Sequence, residues 1–347
     1  MLIFAGIKKM KLKIKSITMG DFLRTGLKTL IMLAVFAISV NAFGQAQMSD
    51  VADTFNQGVQ MMKINPDAAI TSFEKTIELA DQLGTDEAME LKMQALTQIP
   101  KMYWESAKKF AGKKDYAGAI KKLDSCIETG NRAKDTKLVN RAKRTKLSIV
   151  NVQGNTALSN GEYDAALGYF DTALQINPKY AKALLGKTLV YDKTGDLDKM
   201  EEAGIKGIEV ATAARDNKTA GTIQQKLRST FFNSAQIKFQ EEDFAGAEKC
   251  LSRSVQYGNN NAMVHYQLGL AYEGQQKWNE AIEEFNKSAE LDMGSNEEKA
   301  KIFFKLGGSY EATGNNAKAC ESYKKALYGE FAEAAKYKIE TVLECTN

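Results

Sequence analysis

Apolar and polar positions along most of the chain recur with a helical period. A small apolar residue is followed one helical turn later by a large one, as in Ala69 and Phe73 or Ala166 and Phe170. Residues three and four apart share one face of a helix, so each pair marks an amphipathic helix with a buried side. The small residue lets two helices approach closely, and the large one fills the gap against the next helix. The pattern predicts an all-α protein built from helix pairs.

The small residue that anchors the second helix of each pair recurs at uneven intervals. These intervals are 50, 47, 34, 47, 34 and 38 residues. Two of them exceed 34 by about 13 residues, which corresponds to between three and four helical turns. We therefore expect some helix pairs to be longer than others. The anchoring positions are Ala69, Ala119, Ala166, Met200, Ala247, Ala281 and Ala319.

The clearest copy of the pattern lies between Asn261 and Leu291. Its order and spacing of apolar residues resemble the helix-turn-helix unit of the tetratricopeptide repeat. This resemblance implies a right-handed superhelical solenoid of antiparallel helix pairs, because a single pair cannot bury its own apolar face. It also implies that the landmark residues pack in the core and do not contact a ligand. They are Leu268, Gly269, Tyr272, Trp278, Ala281 and Phe285.

The resemblance covers about seven units and a C-terminal cap. The fourth unit is degenerate, since Thr188 stands where glycine is usual. In the second unit, Pro100 is expected to kink the first helix or to split it. Solenoid ends need a capping element, and a helix over residues 331–343 is expected to supply it. The units are predicted at about 51–82, 86–130, 135–178, 181–213, 217–257, 261–293 and 298–328.

The N-terminal 44 residues have a different composition from the rest of the chain. They carry seven Lys or Arg residues and one acid, followed by an apolar run from Leu30 to Val40 and the small-residue site Ala42 to Gly44. This layout is typical of a secretory signal peptide. The apolar run is shorter than the roughly 20 residues of a spanning helix, so we expect cleavage, with a retained inner-membrane anchor as the alternative. Residues 45–347 would then form an exported, periplasmic or extracellular solenoid domain.

The overall composition is that of an ordinary folded protein. Hydrophobic residues make up 44% of the chain, charged residues 26%, and only three residues are proline. Disorder is not indicated by these values. The net charge of +4 comes from the N-terminal segment, since the remaining residues carry 40 bases and 42 acids. We expect no nucleic-acid partner and, after signal cleavage, no stable membrane span.

In tetratricopeptide repeat proteins, ligands usually lie along the inner face formed by the first helix of each unit. Aromatic side chains mixed with amides there suit recognition of an extended peptide. The alternative is that each of these residues is ordinary surface. The partner-binding candidates that the resemblance implies are Lys101, Trp104, Lys108, Lys134, Lys137, Arg141, Arg144, Asn151, Asn155, Phe232, Gln236, Tyr266, Leu270, Glu273, Lys301 and Phe304.

A cluster of basic residues precedes Asn151 and Asn155, the polar candidates of the third unit. Residues 101 to 146 contain 14 Lys or Arg and five acidic residues. Such a cluster is typical of a solvated helix face, and the alternative is an electrostatic docking site for an acidic partner or a polyanion. Within it, a stepping of three and four residues predicts one helical stripe. The stripe consists of Lys134, Lys137, Arg141 and Arg144.

Residues that could perform catalysis are scarce. The single histidine, His265, stands at a packing place of its repeat, so a histidine-based metal cluster or triad is excluded. The fragments S-x-x-K at Ser106 and K-T-G at Lys193 lack the other motifs of the enzymes that use them. No phosphate-binding glycine loop is present. We expect neither a metal nor a cofactor, and no enzymatic activity.

Four cysteines would enter an oxidising compartment if the chain is exported. Two straight helices would leave Cys320 and Cys345 roughly 9 Å out of step, which is beyond the reach of a disulfide. The expectation is four mostly buried thiols that pack between helices, at Cys126, Cys250, Cys320 and Cys345.

Together these features predict a non-enzymatic scaffold or adaptor of the bacterial cell envelope. Its partner would be a protein or peptide bound on the concave face of the repeats, with an acidic partner favoured by the basic stripe. A self-associating structural component, and so a homo-oligomer, is the alternative. A hydrolase is the remaining and weakest alternative, resting on the S-x-x-K and K-T-G fragments.

Overall fold

The structure is a computed structural model and describes residues 46–345. The predicted signal peptide, residues 1–44, lies outside the described residues. Over the described range the chain forms helices and turns, without a β-strand, so the predicted all-α fold is confirmed. No helix among these residues has both the length and the apolar character to cross a membrane. The chain divides into two compact units, Met1–Thr145 and Lys146–Asn347.

The first unit consists of successive antiparallel helices, each packed on the next. Its helices alternate as first and second members of a pair, and α5 begins in this unit and continues beyond it. The bounds are Met48–Met61 (α1), Pro66–Leu83 (α2), Asp86–Gly112 (α3), Tyr116–Arg132 (α4) and Thr136–Asn160 (α5).

The second unit continues with the remainder of α5 and repeats the same alternation. Four helix pairs follow the pair that α5 and α6 form. The bounds are Tyr163–Ile176 (α6), Ala181–Thr194 (α7), Leu197–Ala213 (α8), Asn217–Gln240 (α9), Phe244–Gln256 (α10), Ala262–Gly274 (α11), Trp278–Leu291 (α12), Asn296–Ala312 (α13) and Asn316–Lys325 (α14).

The turns between paired helices are short because most use one local arrangement. A residue in the left-handed region precedes the capping residue, with φ of 61° at Lys114 and 57° at Glu242. The next residue caps the following helix, as Asp115 does by accepting a hydrogen bond from the backbone N–H of Gly118 at 2.9 Å. Asp243 caps α10 in the same way. A capping carboxylate satisfies one of the unpaired N–H groups of the first helical turn.

Glycines allow the two helices of a pair to pack closely over an aromatic ring. A Cβ on Gly58 would lie 2.7 Å from the ring of Phe73, and one on Gly269 would lie 2.5 Å from the ring of Phe285. Both rings are fully buried. Any side chain at these glycines would displace the ring, so the predicted packing role of these landmark positions is confirmed.

The helix pairs differ in length because three first helices are extended. Helix α3 has 27 residues, α5 has 25 and α9 has 24, whereas α11 has 13. Helix α3 also runs without interruption through the buried Pro100, so the predicted alternative of a split at this proline was wrong.

The C-terminal segment differs from the single capping helix predicted over 331–343. It forms a 3₁₀ turn at Gly329–Phe331, a short helix at Ala332–Tyr337 (α15) and a π-helical turn at Lys338–Val342. The π-turn is wider than an α-turn, and the backbone N–H of Cys345 donates to the carbonyl of Ile339 at 2.9 Å. The last residues therefore leave the axis of a straight helix.

This departure brings Cys345 next to Cys320 of α14. The two residues form a disulfide, with their Cα atoms 5.9 Å apart. The prediction that they stay unpaired was wrong, because it assumed a straight terminal helix. The other two cysteines, Cys126 and Cys250, are buried thiols as predicted. Burial and the nearby charge of Asp135 raise the pKa of Cys126 to about 11, which keeps it a neutral packing residue.

Candidate functional site

The first unit brings candidates on α3 next to residues of the predicted basic stripe on α5. Lys101 and Lys108 of α3 are exposed on either side of Trp104, which is 7% exposed. The guanidinium of Arg141 on α5 lies over the Trp104 ring, 4.5 Å from its centroid. A cation over an indole face is attracted by the ring's negative π-cloud. We call the resulting surface the basic face; it consists of Lys101, Trp104, Lys108, Lys137, Arg141 and Arg144.

Lys134 does not lie on the predicted helical stripe. Its φ of 57° places it in the left-handed turn before α5, which begins at Thr136. The carboxylate of Asp135 caps α5 by accepting the backbone N–H of Leu138 at 3.0 Å. Because Asp135 caps α5, the helix begins after it and Lys134 lies outside the helix. The helical spacing that relates Lys137, Arg141 and Arg144 therefore does not include Lys134. Its side chain is exposed in the turn.

Of the acids in this region, one is paired within the basic face and another with a group outside it. Glu105 pairs with Lys108 at 2.6 Å, and Glu128 pairs with Arg132 at 2.6 Å. Among the described residues, no carboxylate pairs with Lys137, Arg141 or Arg144. The Nε–H of Arg144 donates to the backbone carbonyl of Asn140 at 3.3 Å. These cations are exposed to solvent and keep their positive charge available to an approaching partner.

The second unit begins with a groove that contains two predicted amides. A cavity of about 370 Å³ is lined by Asn151 and Asn155 of α5 together with residues of α7 and α9, including Lys182 and Lys218. Asn151 is 9% exposed, and its Oδ1 atom has no hydrogen-bond partner. A buried amide oxygen without a donor is unfavourable, so this groove favours a ligand that brings an N–H group.

Two further candidates of the second unit are engaged inside the protein. Gln236 of α9 forms a reciprocal amide pair with Gln267 of α11, with distances of 2.8 and 3.1 Å. Phe232 is half-buried and packs against the apolar cluster between α9 and α11. These residues line the predicted face, but most of their contacts already lie within the chain.

Tyr266 and Leu270 are half-buried beside the ring of Phe285. The ammonium of Lys301 on α13 lies 5.5 Å from the centroid of the Tyr266 ring. Burial, and next the charge of Glu273, raise the pKa of Tyr266, so its hydroxyl stays protonated at neutral pH. The structure thus brings the predicted residues of α11 and α13 onto one surface.

The C-terminal end of this surface is covered by the chain itself. The ring of Phe304 contacts those of Tyr323 at 5.4 Å and Phe331 at 5.5 Å between centroids. Glu273 pairs with Lys305 at 3.0 Å through one oxygen, while its other oxygen is buried without a partner. Phe304 is therefore half-buried by contacts within the chain, and its role in binding a partner stays a prediction.

Beside Phe304 lies a cavity of about 440 Å³ in which Glu311 accepts three hydrogen bonds. Lys338 donates to both of its oxygens, at 2.8 and 2.9 Å, and the Tyr323 hydroxyl donates at 2.8 Å. Burial would raise the pKa of Glu311, but these hydrogen bonds hold it below the ordinary value. Burial and the bond to Glu311 raise the pKa of Tyr323. We call this region the closed cavity, defined by Glu273, Phe304, Glu311, Tyr323 and Lys338.

The residues of the S-x-x-K fragment are tied into packing. Ser106 is 1% exposed, and its hydroxyl donates to the Asp67 carboxylate at 3.0 Å. The ammonium of Lys109 donates to the backbone carbonyl of Ile64 at 3.0 Å. Because Ser106 is buried and Lys109 points to a backbone group, the pair does not form a nucleophile with an adjacent base.

His265 is a buried packing residue with both ring nitrogens in use. Its Nδ1 atom lies 2.5 Å from Glu284 and its Nε2 atom lies 2.6 Å from Asn260. Within residues 46–345, no group of three or more His, Cys, Asp or Glu side chains is arranged to hold a metal ion. The predicted core position of His265 agrees with its exposure of 5%.

Several residues of these surfaces were absent from the sequence-based candidates, and four of them show why. Gln267 and Lys305 follow predicted residues by one position, at Tyr266 and Phe304. Helical stepping selects one stripe and leaves out its immediate neighbours, which is why both were missed. Phe331 and Lys338 come from the C-terminal segment, and no pattern in the sequence places that segment against α13.

Comparison with known proteins identifies the repeats directly. Models of the tetratricopeptide repeat match residues 157–202, 262–295 and 300–328. The human Superkiller complex protein 3 is 32% identical over 123 residues, a match covering 31% of this chain. This chain spans only 8% of the length of that relative.

Two solved structures give weaker likenesses. YrrB, described as a tetratricopeptide repeat protein with an unusual peptide-binding site, is 22% identical, covers 54% of this chain and 90% of its own, and has a TM-score of 0.30. MamA from Desulfovibrio magneticus RS-1 is 18% identical, with 55% and 96% coverage and a TM-score of 0.30. Likenesses at these scores carry no weight for function.

The repeat matches coincide with the helix pairs described above. The model matches at residues 262–295 and 300–328 each contain one such pair, α11 with α12 and α13 with α14. Proteins of this family act as interaction modules and not as enzymes. Over the matched residues the chain contains tetratricopeptide repeats, which are typically non-enzymatic and support a scaffold for protein–protein interaction.

Proposed function

We propose that this chain is an exported scaffold that docks an acidic segment of a partner protein on the basic face of its first unit. The observation that carries the proposal is the stacking of Arg141 on Trp104, 4.5 Å from the ring centroid. This contact joins the cations of α3 and α5 into one surface around an aromatic platform. Carboxylates of an extended segment would meet guanidinium and ammonium groups on both helices.

The charge arrangement supports an acidic partner. The exposed cations Lys137, Arg141 and Arg144 have no carboxylate partner among the described residues, so a partner's acids would not have to displace existing ion pairs. Arginine also forms two parallel hydrogen bonds to one carboxylate, which adds orientation to the attraction. Exposed pairs are individually weak, so recognition would depend on several charges acting together.

The amide groove of the second unit supports a peptide as the bound form. The unpartnered Oδ1 of Asn151 accepts an N–H group, and an extended backbone presents such groups at regular spacing. Lys182 and Lys218 line the same groove and suit acidic side chains. An acidic peptide would therefore match both this groove and the basic face in chemistry.

Export is part of the proposal and follows from the composition of residues 1–44. N-terminal sequencing of the protein recovered from the envelope fraction should find a start close to residue 45. Recovery of the intact N-terminus with the cell membranes would support a retained anchor, and recovery in the cytoplasm would contradict export.

The binding proposal is tested by charge reversal. The double variant Arg141→Glu and Arg144→Glu should weaken binding of a fluorescent poly-glutamate peptide by about tenfold or more in low salt, since attraction becomes repulsion at the centre of the face. Fluorescence anisotropy measures this affinity.

A matched control carries the same change of charge elsewhere. Lys121→Glu with Lys143→Glu reverses two exposed lysines of the same region that lie outside the basic face. This control should retain most of the affinity. Equal losses in the two double variants would show a general charge effect and would contradict docking at Arg141 and Arg144.

A further inference from the structure

The C-terminal segment lies on residues predicted to bind a partner. Phe331 stacks against Phe304 with 5.5 Å between ring centroids, and Lys338 donates to both oxygens of Glu311. Glu311 and Phe304 belong to α13, the first helix of the last pair. The segment thus places an aromatic ring and a cation where a bound peptide would place its own side chains.

Two kinds of contact hold the segment in place. The disulfide joins Cys345 to Cys320 on α14, so the end of the segment is covalently fixed. Ala335 is fully buried, and Ile339 packs with it around Tyr323. The disulfide adds a covalent attachment to these apolar contacts.

The closed cavity has the chemistry of a site for a basic side chain. Two carboxylates, Glu273 and Glu311, face it together with the rings of Phe304 and Tyr323. Carboxylates bind ammonium and guanidinium groups through charge-assisted hydrogen bonds, and aromatic faces attract cations. One oxygen of Glu273 is buried and unpartnered, so a donor in the cavity is still missing.

The charge of the cavity depends on Lys338. With Lys338 in place, the two carboxylates are matched by Lys305 and Lys338. When the segment leaves, Lys305 alone remains and one negative charge is uncompensated beside the aromatic rings. Glu311 and Glu273 are partly exposed, so the uncompensated negative charge can attract the cation of another molecule.

We propose that the C-terminal segment is a disulfide-held lid, and that Lys338 occupies a site for a lysine or arginine side chain of a partner protein. In the oxidised protein the lid excludes that side chain. When the disulfide opens, the segment can leave α13, and a basic residue of the partner takes the position of Lys338 against Glu311 and Glu273. The proposal concerns the second unit alone and does not depend on docking at the basic face.

Opening of the lid requires a dithiol as reductant. One thiolate of the dithiol attacks a sulfur of the Cys320–Cys345 bond and forms a mixed disulfide, and the other cysteine leaves as a thiolate that takes up a proton. The second thiol of the reductant then closes its own disulfide and releases the remaining cysteine. Two electrons pass from the dithiol to the protein, and both cysteines end as thiols.

The test measures binding of a fluorescent peptide that alternates arginine with serine, by anisotropy, to the whole protein. Lys338→Ala removes the internal cation and leaves the disulfide intact. We expect this variant, and the wild type reduced with dithiothreitol, to bind the peptide about tenfold more tightly than the oxidised wild type. Adding Glu311→Gln to Lys338→Ala should abolish the gain.

Lys336→Ala is the matched control, because Lys336 is an exposed lysine of the same segment. It should bind like the oxidised wild type. Equal affinity in the oxidised wild type and in Lys338→Ala would overturn the proposal, as would a gain that survives Glu311→Gln. Loss of acidic-peptide binding in the variant Arg141→Glu with Arg144→Glu tests the basic face separately. If one proposal fails, the other can therefore still be tested.

Discussion

The basic face of the first unit and the closed cavity of the second use similar groups with opposite outcomes. Both place charged side chains against aromatic rings, Arg141 on Trp104 and Glu311 beside Tyr323. In the closed cavity the chain supplies the opposite charge itself, through Lys338. On the basic face Glu105 pairs with Lys108, but no carboxylate of the described residues pairs with Lys137, Arg141 or Arg144. The difference teaches that a charged aromatic surface is available for binding only where the chain has not already paired it.

The largest effect that would break this comparison is removal of the aromatic platform. Trp104 is 7% exposed, so Trp104→Ala should destabilise the first unit by about 4 kcal/mol, from lost burial and the remaining cavity. Arg141 would also lose its stacking partner, and binding of an acidic peptide should weaken. Urea unfolding followed by circular dichroism measures the stability.

Trp104→Phe is the corresponding conservative variant. It keeps an aromatic ring beneath Arg141 and should cost less than half as much stability. A Trp104→Ala variant as stable as the wild type would mean that Trp104 is a surface residue and not the platform of the face.

Removal of the disulfide is the next largest effect. The Cys320–Cys345 bond closes a loop of sequence separation 25, and the chain-entropy relation predicts a loss of about 3 kcal/mol for a loop of this size. Cys345→Ser should therefore lower the resistance of the C-terminal segment to proteolysis and reduce the unfolding free energy of the last helix pair. Limited proteolysis with mass spectrometry identifies the cleavage sites.

In the reduced wild type the same cleavage sites should appear, because reduction removes the same bond. Cys250→Ser is the control for loss of a buried thiol without loss of a disulfide. If the C-terminal segment stays protected after reduction, the non-covalent contacts alone hold it, and the lid does not open.

A smaller effect concerns the acid stability of the closed cavity. Burial raises the pKa of Glu311, but its hydrogen bonds from Lys338 and Tyr323 outweigh this and lower the pKa below the ordinary value of 4.5. A carboxylate whose pKa is lowered on folding stabilises the folded state above its unfolded pKa, and this contribution is lost as the pH falls through the folded pKa.

The stability difference between the wild type and Glu311→Gln should therefore be largest near pH 7 and should shrink below about pH 4.5. Thermal unfolding at a series of pH values measures it, with Glu321→Gln as an exposed control on α14. A difference that does not change with pH would contradict the ionised state of Glu311 in the cavity.

Much of the fold could be predicted because its determinants are local. The glycine and aromatic positions of each pair, such as Gly269 and Phe285, repeat within one helix pair, and close packing requires them together. For Arg141 to lie over Trp104, the first helices of two successive units, α3 and α5, must pack side by side. The repeat pattern also implies this packing. These features depend on short spacings that a sequence displays directly.

The lid and the disulfide were not predictable by the same reasoning. Their geometry depends on the π-turn at Lys338–Val342, which breaks the straight-helix assumption that separated Cys320 from Cys345. The prediction for Lys134 was wrong for a related reason. Asp135 caps the start of α5, so the helix begins after Lys134. In each case a single backbone deviation changes which side chains meet, and hydrophobic periodicity does not report it.

The central claim is that the unpaired cations of the basic face dock an acidic partner. The most direct test is the affinity of the wild type and of Arg141→Glu with Arg144→Glu for a poly-glutamate peptide across a range of salt concentrations. We predict that the wild type binds more tightly by about tenfold at low salt and that this advantage narrows as salt screens exposed charges. Equal affinities of the two proteins at low salt would contradict the claim.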